Sequence, residues 1–419
     1  MADPRSMRLL AAGAALCLAA GGGIAFAVGR AADAGSGGAV LRTTEAVARE
    51  QAAAPAEIQA PSGYDVTMSP VGTVHFAKVP ERIVTGAMYQ NCTEMVVAAG
   101  RGAGIIAGVA KANVYNGFYD QLPGVRTGID VEKMPAMTNS TGERTGFDKE
   151  TLYQLHADVH HMDPAQLMQA GRWTQADIDE ISRNVGPFFA NRFSRENIYP
   201  GTGPYEFYTV WEMAGKFGQV YRQERRMARL QEIGEALIAR LQASLPPVGQ
   251  RPRVGLVLCN RDHFTVYKLG GGGFGQAQYA AVGAVDAFAG NPRISYYGEN
   301  GGTGKALDLE GLLSIDPDVL ITAFALTGSQ TAHENLLKLK DDPLAARLKA
   351  FASGQVYPGG TALQGPVFHI FQIEMAAKQI YPALFGRYRP DQAYPREEQL
   401  FDREAVAAVL RGDADHAGR

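Results

Sequence analysis

The sequence predicts an α/β protein built as two β/α lobes with parallel-rich sheets joined by a long rigid helix. Three observations lead there. Short apolar runs at 83–87, 104–109, 158–162, 254–259 and 319–323 are each followed by Gly or polar residues and then by a helix-period segment, the pattern of parallel strands covered on both faces. Glu150, Leu152, Leu155, Asp158 and Val159 recur 160 residues on as Glu310, Leu312, Ile315, Asp318 and Val319. Each copy reads as a short helix with its apolar residues on one side, an Asp at the turn, and a buried strand. Between the copies a helical period runs over 210–241.

The N-terminus sets the compartment. Arg5 and Arg8 precede an apolar stretch, 9–29, and a Gly/Ala-rich linker follows it, which reads as an export signal. Ala25-Phe26-Ala27 and Ala32-Asp33-Ala34 offer small-residue cleavage sites. The 21 residues of 9–29 are also long enough to span a bilayer, so an uncleaved anchor is the rival reading. Cys17 follows Leu16 where a lipidation signal needs a small residue, so no lipid is expected there. The expected organisation is 1–34 signal or anchor, 35–60 flexible linker, 61–204 N-terminal lobe, 205–245 inter-lobe helical region, 246–412 C-terminal lobe and 413–419 disordered tail.

In the inter-lobe region Val210, Met213, Ala214, Phe217, Val220 and Tyr221 recur at three and four, and Met227, Leu230, Ile233, Leu237 and Leu241 continue the period until Pro246-Pro247 ends it. About twenty helical residues span roughly 30 Å, enough for a strut that limits hinge opening. Cys92 and Cys259, the two cysteines outside the N-terminal segment, have no ligand spacing. They read as buried free thiols, with one disulfide between them as the alternative in an oxidising compartment.

Composition excludes several function classes. A total of 40 Lys and Arg against 43 Asp and Glu, net −3, lacks the basic excess of a general nucleic-acid binder. An apolar fraction of 46%, arranged with helix and strand periods, excludes disorder over the whole chain. No Gly-x-Ser-x-Gly elbow or His-Glu-x-x-His pair points to an enzyme. His160-His161-Met162-Asp163 invites a metal, but neighbours on a strand point to opposite faces, and His263 and His369 are scattered helpers. A hydrogen-bonded histidine pair is the expectation. The glycine run 270–275 lacks the Lys-Ser/Thr end of a phosphate loop and reads as a place of close backbone approach to a bulky ligand, or as plain loop flexibility, with Phe274 as a wall of the cleft.

The run from Gly72 through Pro80-Glu81-Arg82-Ile83-Val84, with Asn91, Glu94 and Ala98-Ala99-Gly100 after it, resembles the opening of the metal-chelate solute-binding proteins of ABC importers. Asp316-Pro317-Asp318-Val319, Gly354-Gln355-Val356-Tyr357 and Leu400-Phe401-Asp402-Arg403 are similar to successive elements of their C-terminal lobe. The missing lipidation signal and the long stretch 160–204 depart from the pattern. The resemblance implies binding without turnover: an exported monomer, in the periplasm or on the outer face of the cytoplasmic membrane, captures an iron-siderophore complex between its lobes and delivers it to an ABC permease. The alternatives are cobalamin or haem, or a bare Zn, Mn or Fe ion. The protein itself would carry no cofactor.

Ligands of α/β sheets bind outside the carboxyl ends of strands, so the loops there should line the cleft. They supply Tyr89, Gln90 and Asn91; Asn113, Tyr115 and Tyr119; Met162 and Asp163; Arg192 and Arg195; Arg261 and Tyr267; Phe274; Phe324 and Thr327; Gln364 and His369. Aromatic rings suit a large amphipathic chelate, and the two arginines an anionic one. In the family an acidic residue near the start of a helix in each lobe pairs with permease arginines, which implies docking roles for Glu150 and Glu310.

Overall fold

The computed structural model describes residues 63–413 apart from 87–91, 110–111, 135–147, 170–172, 262, 271–272, 300–303, 328 and 391–392. The expected export segment and linker, and the tail beyond 413, lie outside the described residues.

A hairpin opens the N-terminal lobe: β1 (Tyr64–Met68) pairs antiparallel with β2 (Gly72–Phe76). Then come β3 (Ile83–Thr85), α1 (Cys92–Ala98), β4 (Ile105–Ala107), α2 (Ala112–Tyr119), α3 (Lys149–Leu155), β5 (Val159–His161), α4 (Pro164–Gln169) and α5 (Gln175–Asn184). The three short strands form a parallel sheet in the order β4-β3-β5. Next are α6 (Val210–Tyr221) and α7 (Glu224–Ala243). The C-terminal lobe holds β6 (Arg253–Asn260), β7 (His263–Val266), α8 (Ala277–Ala281), β8 (Val285–Asp286), β9 (Leu307–Asp308), α9 (Leu309–Ile315), β10 (Val319–Thr322), α10 (Gln330–Lys338), α11 (Lys349–Ala352), β11 (Val356–Pro358), α12 (Pro366–Ile380), α13 (Pro382–Phe385) and α14 (Arg403–Arg411). Its sheet runs β11-β10-β6-β7-β9, with β8 parallel to the start of β6. Each of the five expected strands is present, shifted by a residue or two at its ends.

The repeat in the sequence is a repeat in space. Asp148 caps α3 by accepting from Thr151 N at 2.8 Å, and Asp308 caps α9 from Gly311 N at 2.7 Å. Both helices stop at a left-handed residue, His156 (φ 47°) and Asp316 (φ 49°). Asp158 then accepts from the Glu81 and Arg82 amides, each at 2.9 Å, and Asp318 from the Arg253 amide, also at 2.9 Å. The guanidinium of Arg82 returns to the carbonyls of Leu155 and His156, and that of Arg253 to Ile315. The repeated Asp thereby locks the entry of the central parallel pair in each lobe, Ile83 beside Val159 and Val254 beside Val319.

The inter-lobe region departs from the expected single strut. Arg222 takes a left-handed conformation (φ 54°), so 210–241 is two helices that pack against each other, and only α7 makes the long connection into β6. A helical period continues through such a break because both helices bury one face. The second tie is α12, buried on every side and packed against α1, α6, α7 and α8, which makes the apolar core continuous from Ile83 in one lobe to Val254 and Ile321 in the other.

Glu94 of α1 fastens this joint. Its Oε1 accepts from the Tyr119 hydroxyl at 3.0 Å and from Val367 N at 3.1 Å, in the first turn of α12, where the helix dipole favours a carboxylate. A Cβ at position 365 would fall 1.4 Å from Glu94 Oε2, so only glycine admits this approach. Burial nevertheless pushes the carboxyl up to about 8, against the Tyr119 and α12 hydrogen bonds.

Candidate functional site

One wall of the site is a short turn of the N-terminal lobe, 191–198, and its geometry is held from below. Asp163, just past β5, accepts from Arg192 N at 2.6 Å and from the Tyr205 hydroxyl, whose oxygen in turn accepts from Phe193 N at 3.1 Å. Asn191 donates to the carbonyls of Ser69 and Glu206 and accepts from the Ser194 hydroxyl at 2.6 Å. That hydroxyl accepts from Tyr208 N at 2.7 Å. Within the stretch that looked too long in the sequence, 160–204, Asp163 and Asn191 thus hold this turn, while α5 packs against α3.

On the turn stand Arg192, Arg195 and Glu196. Arg192 Nη1 lies 3.2 Å from Glu196 Oε2, and Arg195 Nη2 binds Glu196 Oε1. Burial works against the charge on Glu196, but Arg195 and Arg192 outweigh it and hold the carboxyl below its ordinary range. The Arg195 guanidinium also sits 5.3 Å from the centre of the Phe324 ring.

The C-terminal lobe supplies the other wall. Phe324 stands just after β10 with φ 55°, Tyr267 follows β7, and Tyr297 leans on Tyr267 with ring centres 5.0 Å apart. Tyr267 meets Phe324 edge-on at 5.6 Å. Lys268 pairs with Glu299 at 2.8 Å. The end of the glycine run closes one side: Gly275 N donates to Arg195 O at 2.7 Å, and a Cβ on Gly273 would come within 2.6 Å of that same carbonyl. The close approach of this run is to the opposite lobe's backbone, not to the bulky ligand expected there. Between the walls lies a cleft of about 270 Å³, lined by Arg195, Glu196, Tyr267, Tyr297, Gln276 and Phe324 among others.

Of the residues expected to line a cleft, Arg195, Tyr267 and Phe324 do so, and Arg192 reaches it through Glu196. The other described ones fall elsewhere. The segment expected as a loop around Asn113 is helix α2: Tyr115 and Tyr119, one turn apart, are buried against Phe368 at 5.3 and 6.3 Å, and Asn113 is exposed outside the cleft. Arg261 sits on the exposed β6–β7 turn with φ 60°. Phe274 is buried in the apolar core. Gln364 is interior, donating to Gly275 O at 2.9 Å and exchanging hydrogen bonds with Gln372. His369 lies within α12, 5.4 Å from the Trp211 ring, and burial pushes its pKa down to about 4. Tyr89 and Asn91 lie outside the described residues. Glu196, Lys268, Gln276, Tyr297 and Glu299 went unread in the sequence, although an acid directly after Arg195 and the adjacent Tyr296-Tyr297 were available signals.

The histidine pair is structural. His161 Nδ1 donates to Phe189 O at 2.6 Å, so its Nε2 accepts from the Tyr221 hydroxyl, also at 2.6 Å; His160 Nδ1 donates to Gly186 O at 3.0 Å. Burial pushes both down to about 4. Among the described residues no three His, Cys, Asp or Glu side chains are grouped to hold a metal ion. Cys92 and Cys259 are both buried free thiols. No helix among the described residues is long and apolar enough to cross a membrane.

Two lobes of like topology, tied by buried helices and facing each other across a cleft, define a two-lobed solute-binding architecture. The family described as periplasmic binding protein matches residues 87–362, well over half of the chain, and the chain belongs to that family. Solved structures agree on the fold. The triscatecholate siderophore binding protein FeuA of Bacillus subtilis, complexed with ferri-bacillibactin, is 11% identical, with 76% of this chain and 98% of that one covered at a TM-score of 0.50. The iron uptake ABC transporter substrate-binding protein PiuA of Streptococcus pneumoniae is 14% identical, with 78% and 100% covered at 0.50. CeuE of Helicobacter pylori with Ni(II) bound is 13% identical, with 77% and 90% covered at 0.50. No curated protein matches the chain.

Proposed function

We propose that the protein binds an iron-siderophore-type chelate between its lobes, outside the cytoplasm, and hands it unchanged to an ABC import permease. The observation that carries this reading is the make-up of the cleft, in which Arg195, braced by Glu196, faces a cluster of three rings, Tyr267, Tyr297 and Phe324. Rings offer flat apolar contact to an amphipathic complex, and a guanidinium offers directed donors to its oxygens. The names of FeuA and PiuA support iron-chelate uptake as the setting. At about 270 Å³ the cleft is just under the roughly 300–1,000 Å³ of small-molecule sites, so a siderophore-sized complex would keep part of its surface outside.

Delivery rests on Glu150 and Glu310. Both are exposed in the first turns of α3 and α9, the equivalent helices of the two lobes, where the macrodipole favours a carboxylate without burying it. The test of the binding reading is equilibrium titration of the purified protein with ferric trihydroxamate, ferric tricatecholate, cobalamin, haem and the bare Zn, Mn and Fe ions, followed by recovery of the bound compound. Saturable binding of a ferric chelate recovered intact is expected. Preferential binding of cobalamin, haem or a bare ion, or recovery of a chemically altered chelate, overturns it.

A further inference from the structure

Charge in the cleft is almost fully compensated from within. On the N-lobe wall two guanidinium groups end on one carboxylate, Glu196, and on the opposite wall Lys268 is closed on Glu299. Among the described residues lining the cleft, Arg195 and Lys268 thus stand against Glu196 and Glu299, while Arg192, behind Glu196, also feels the buried Asp163. Arg195 is 1% and Glu196 18% exposed in their side chains, so neither charge is screened as it would be at an open surface. Glu196 and Arg195 both line the cavity, so a ligand that reaches the guanidinium also meets the carboxylate. In a poorly hydrated pocket juxtaposed like charges are costly, and an anion can use the arginines fully only by displacing the glutamate already on them.

We propose that Glu196 is the charge-selecting residue of the cleft: as an internal counter-ion shared by Arg192 and Arg195, it favours chelates that are neutral or singly negative over those with several negative charges. This rests on the chelate-binding reading above and narrows its substrate class. The Coulombic hold of the two arginines keeps the carboxylate ionised through the neutral range, so the selection is permanent there.

The test compares two iron complexes that differ in charge, a neutral ferric trihydroxamate and the trianionic ferric tricatecholate, on the full chain and on Glu196→Gln. Glu232→Gln, an exposed site on α7, controls for net charge. Wild type should bind the neutral complex at least tenfold more tightly than the trianion. Glu196→Gln should tighten the trianion and shift the trianion-to-neutral preference at least tenfold toward the trianion, and Glu232→Gln should leave that preference unchanged. If Glu196→Gln leaves the trianion unimproved while both complexes still bind, Glu196 is only a brace for the turn; the charge proposal falls and the chelate reading stands. If neither complex binds wild type or variant, the chelate reading falls and takes the proposal with it. Should Glu196→Gln not fold, the wild-type comparison decides alone, since a preference for the trianion is incompatible with the proposal.

Discussion

Arg195 carries more of the cleft than any other side chain, because it touches both walls: its guanidinium meets Glu196 and Phe324, and its carbonyl accepts from Gly275. Arg195→Ala is expected to weaken a chelate held there by roughly 1.5–3 kcal/mol, the range for hydrogen bonds to charged groups. Calorimetric titration checks this, and an unchanged affinity would make Arg195 a structural brace. A second residue governs stability. The Glu94 carboxyl ordinarily titrates near 4.5 but near 8 when buried in the fold, so between those values the unfolded chain releases a proton that the folded one keeps. Stability contributed by this group falls with rising pH, at up to about 1.4 kcal/mol per unit. The buried His160, His161 and His369, pushed from 6.5 to about 4, act in the opposite sense as pH drops below 6.5. Stability should therefore peak at roughly pH 7, where the loss from three histidines and that from one carboxyl balance. Glu94→Gln should flatten the decline from about pH 7 to 8 in denaturant melts; an undiminished decline would show that another group causes it.

At the scale of elements, helices and strands were legible where a single period decides them, and junctions were not. The Val210 to Tyr221 and Met227 to Leu241 patterns join without a visible break, because Arg222 carries no signal that its φ is 54°. Helix α2 was missed because only Tyr115 and Tyr119, one turn apart, mark its buried face. The glycine run has a reason the sequence could only half state: glycine at 273 and 275 lets the C-lobe backbone lie on Arg195 of the N-lobe. Gly273→Ala places a methyl group against the Arg195 carbonyl, which Gly275 N already holds, and overpacking of this kind costs about 1–3 kcal/mol. Thermal unfolding should show that loss together with weaker chelate binding. Wild-type stability in the variant would mean that the loop relaxes without cost.

For the molecule as a whole, the joint is a packed helical body through which one apolar core runs, with α7 and α12 at its centre. Cores of this density resist shear, so ligand binding should change lobe separation only slightly. Small-angle scattering with and without a bound chelate should give nearly equal radii of gyration, and a large compaction would count against the buried joint. Under the proposed delivery role, two carboxylates on equivalent helices, one per lobe, would also let a permease register that separation. Glu150→Arg combined with Glu310→Arg should abolish uptake in cells and leave chelate affinity in solution intact, since like charges would then meet at the permease surface. Normal uptake by the double variant would remove the docking role.

What the sequence determined alone is everything that repeats along the chain or depends on one buried face. The five parallel strands belong here, as do the paired helix-Asp-strand units at 150–159 and 310–319, the two-lobed α/β class, and the resemblance that the family match agrees with. These are local: a period or a capping residue acts on its neighbours whatever the rest of the chain does. Only the tertiary structure decided which loops converge. It placed Tyr115 and Tyr119 in the core and Arg195 in the cleft, brought Glu196 between two arginines, and set Tyr297 against Tyr267 across 29 residues of sequence. The Arg192-Arg195-Glu196 group is local in sequence, but the wall it forms meets Tyr267 and Phe324 from segments far along the chain, and that meeting depends on how the helical joint sets one lobe against the other, which no local pattern encodes.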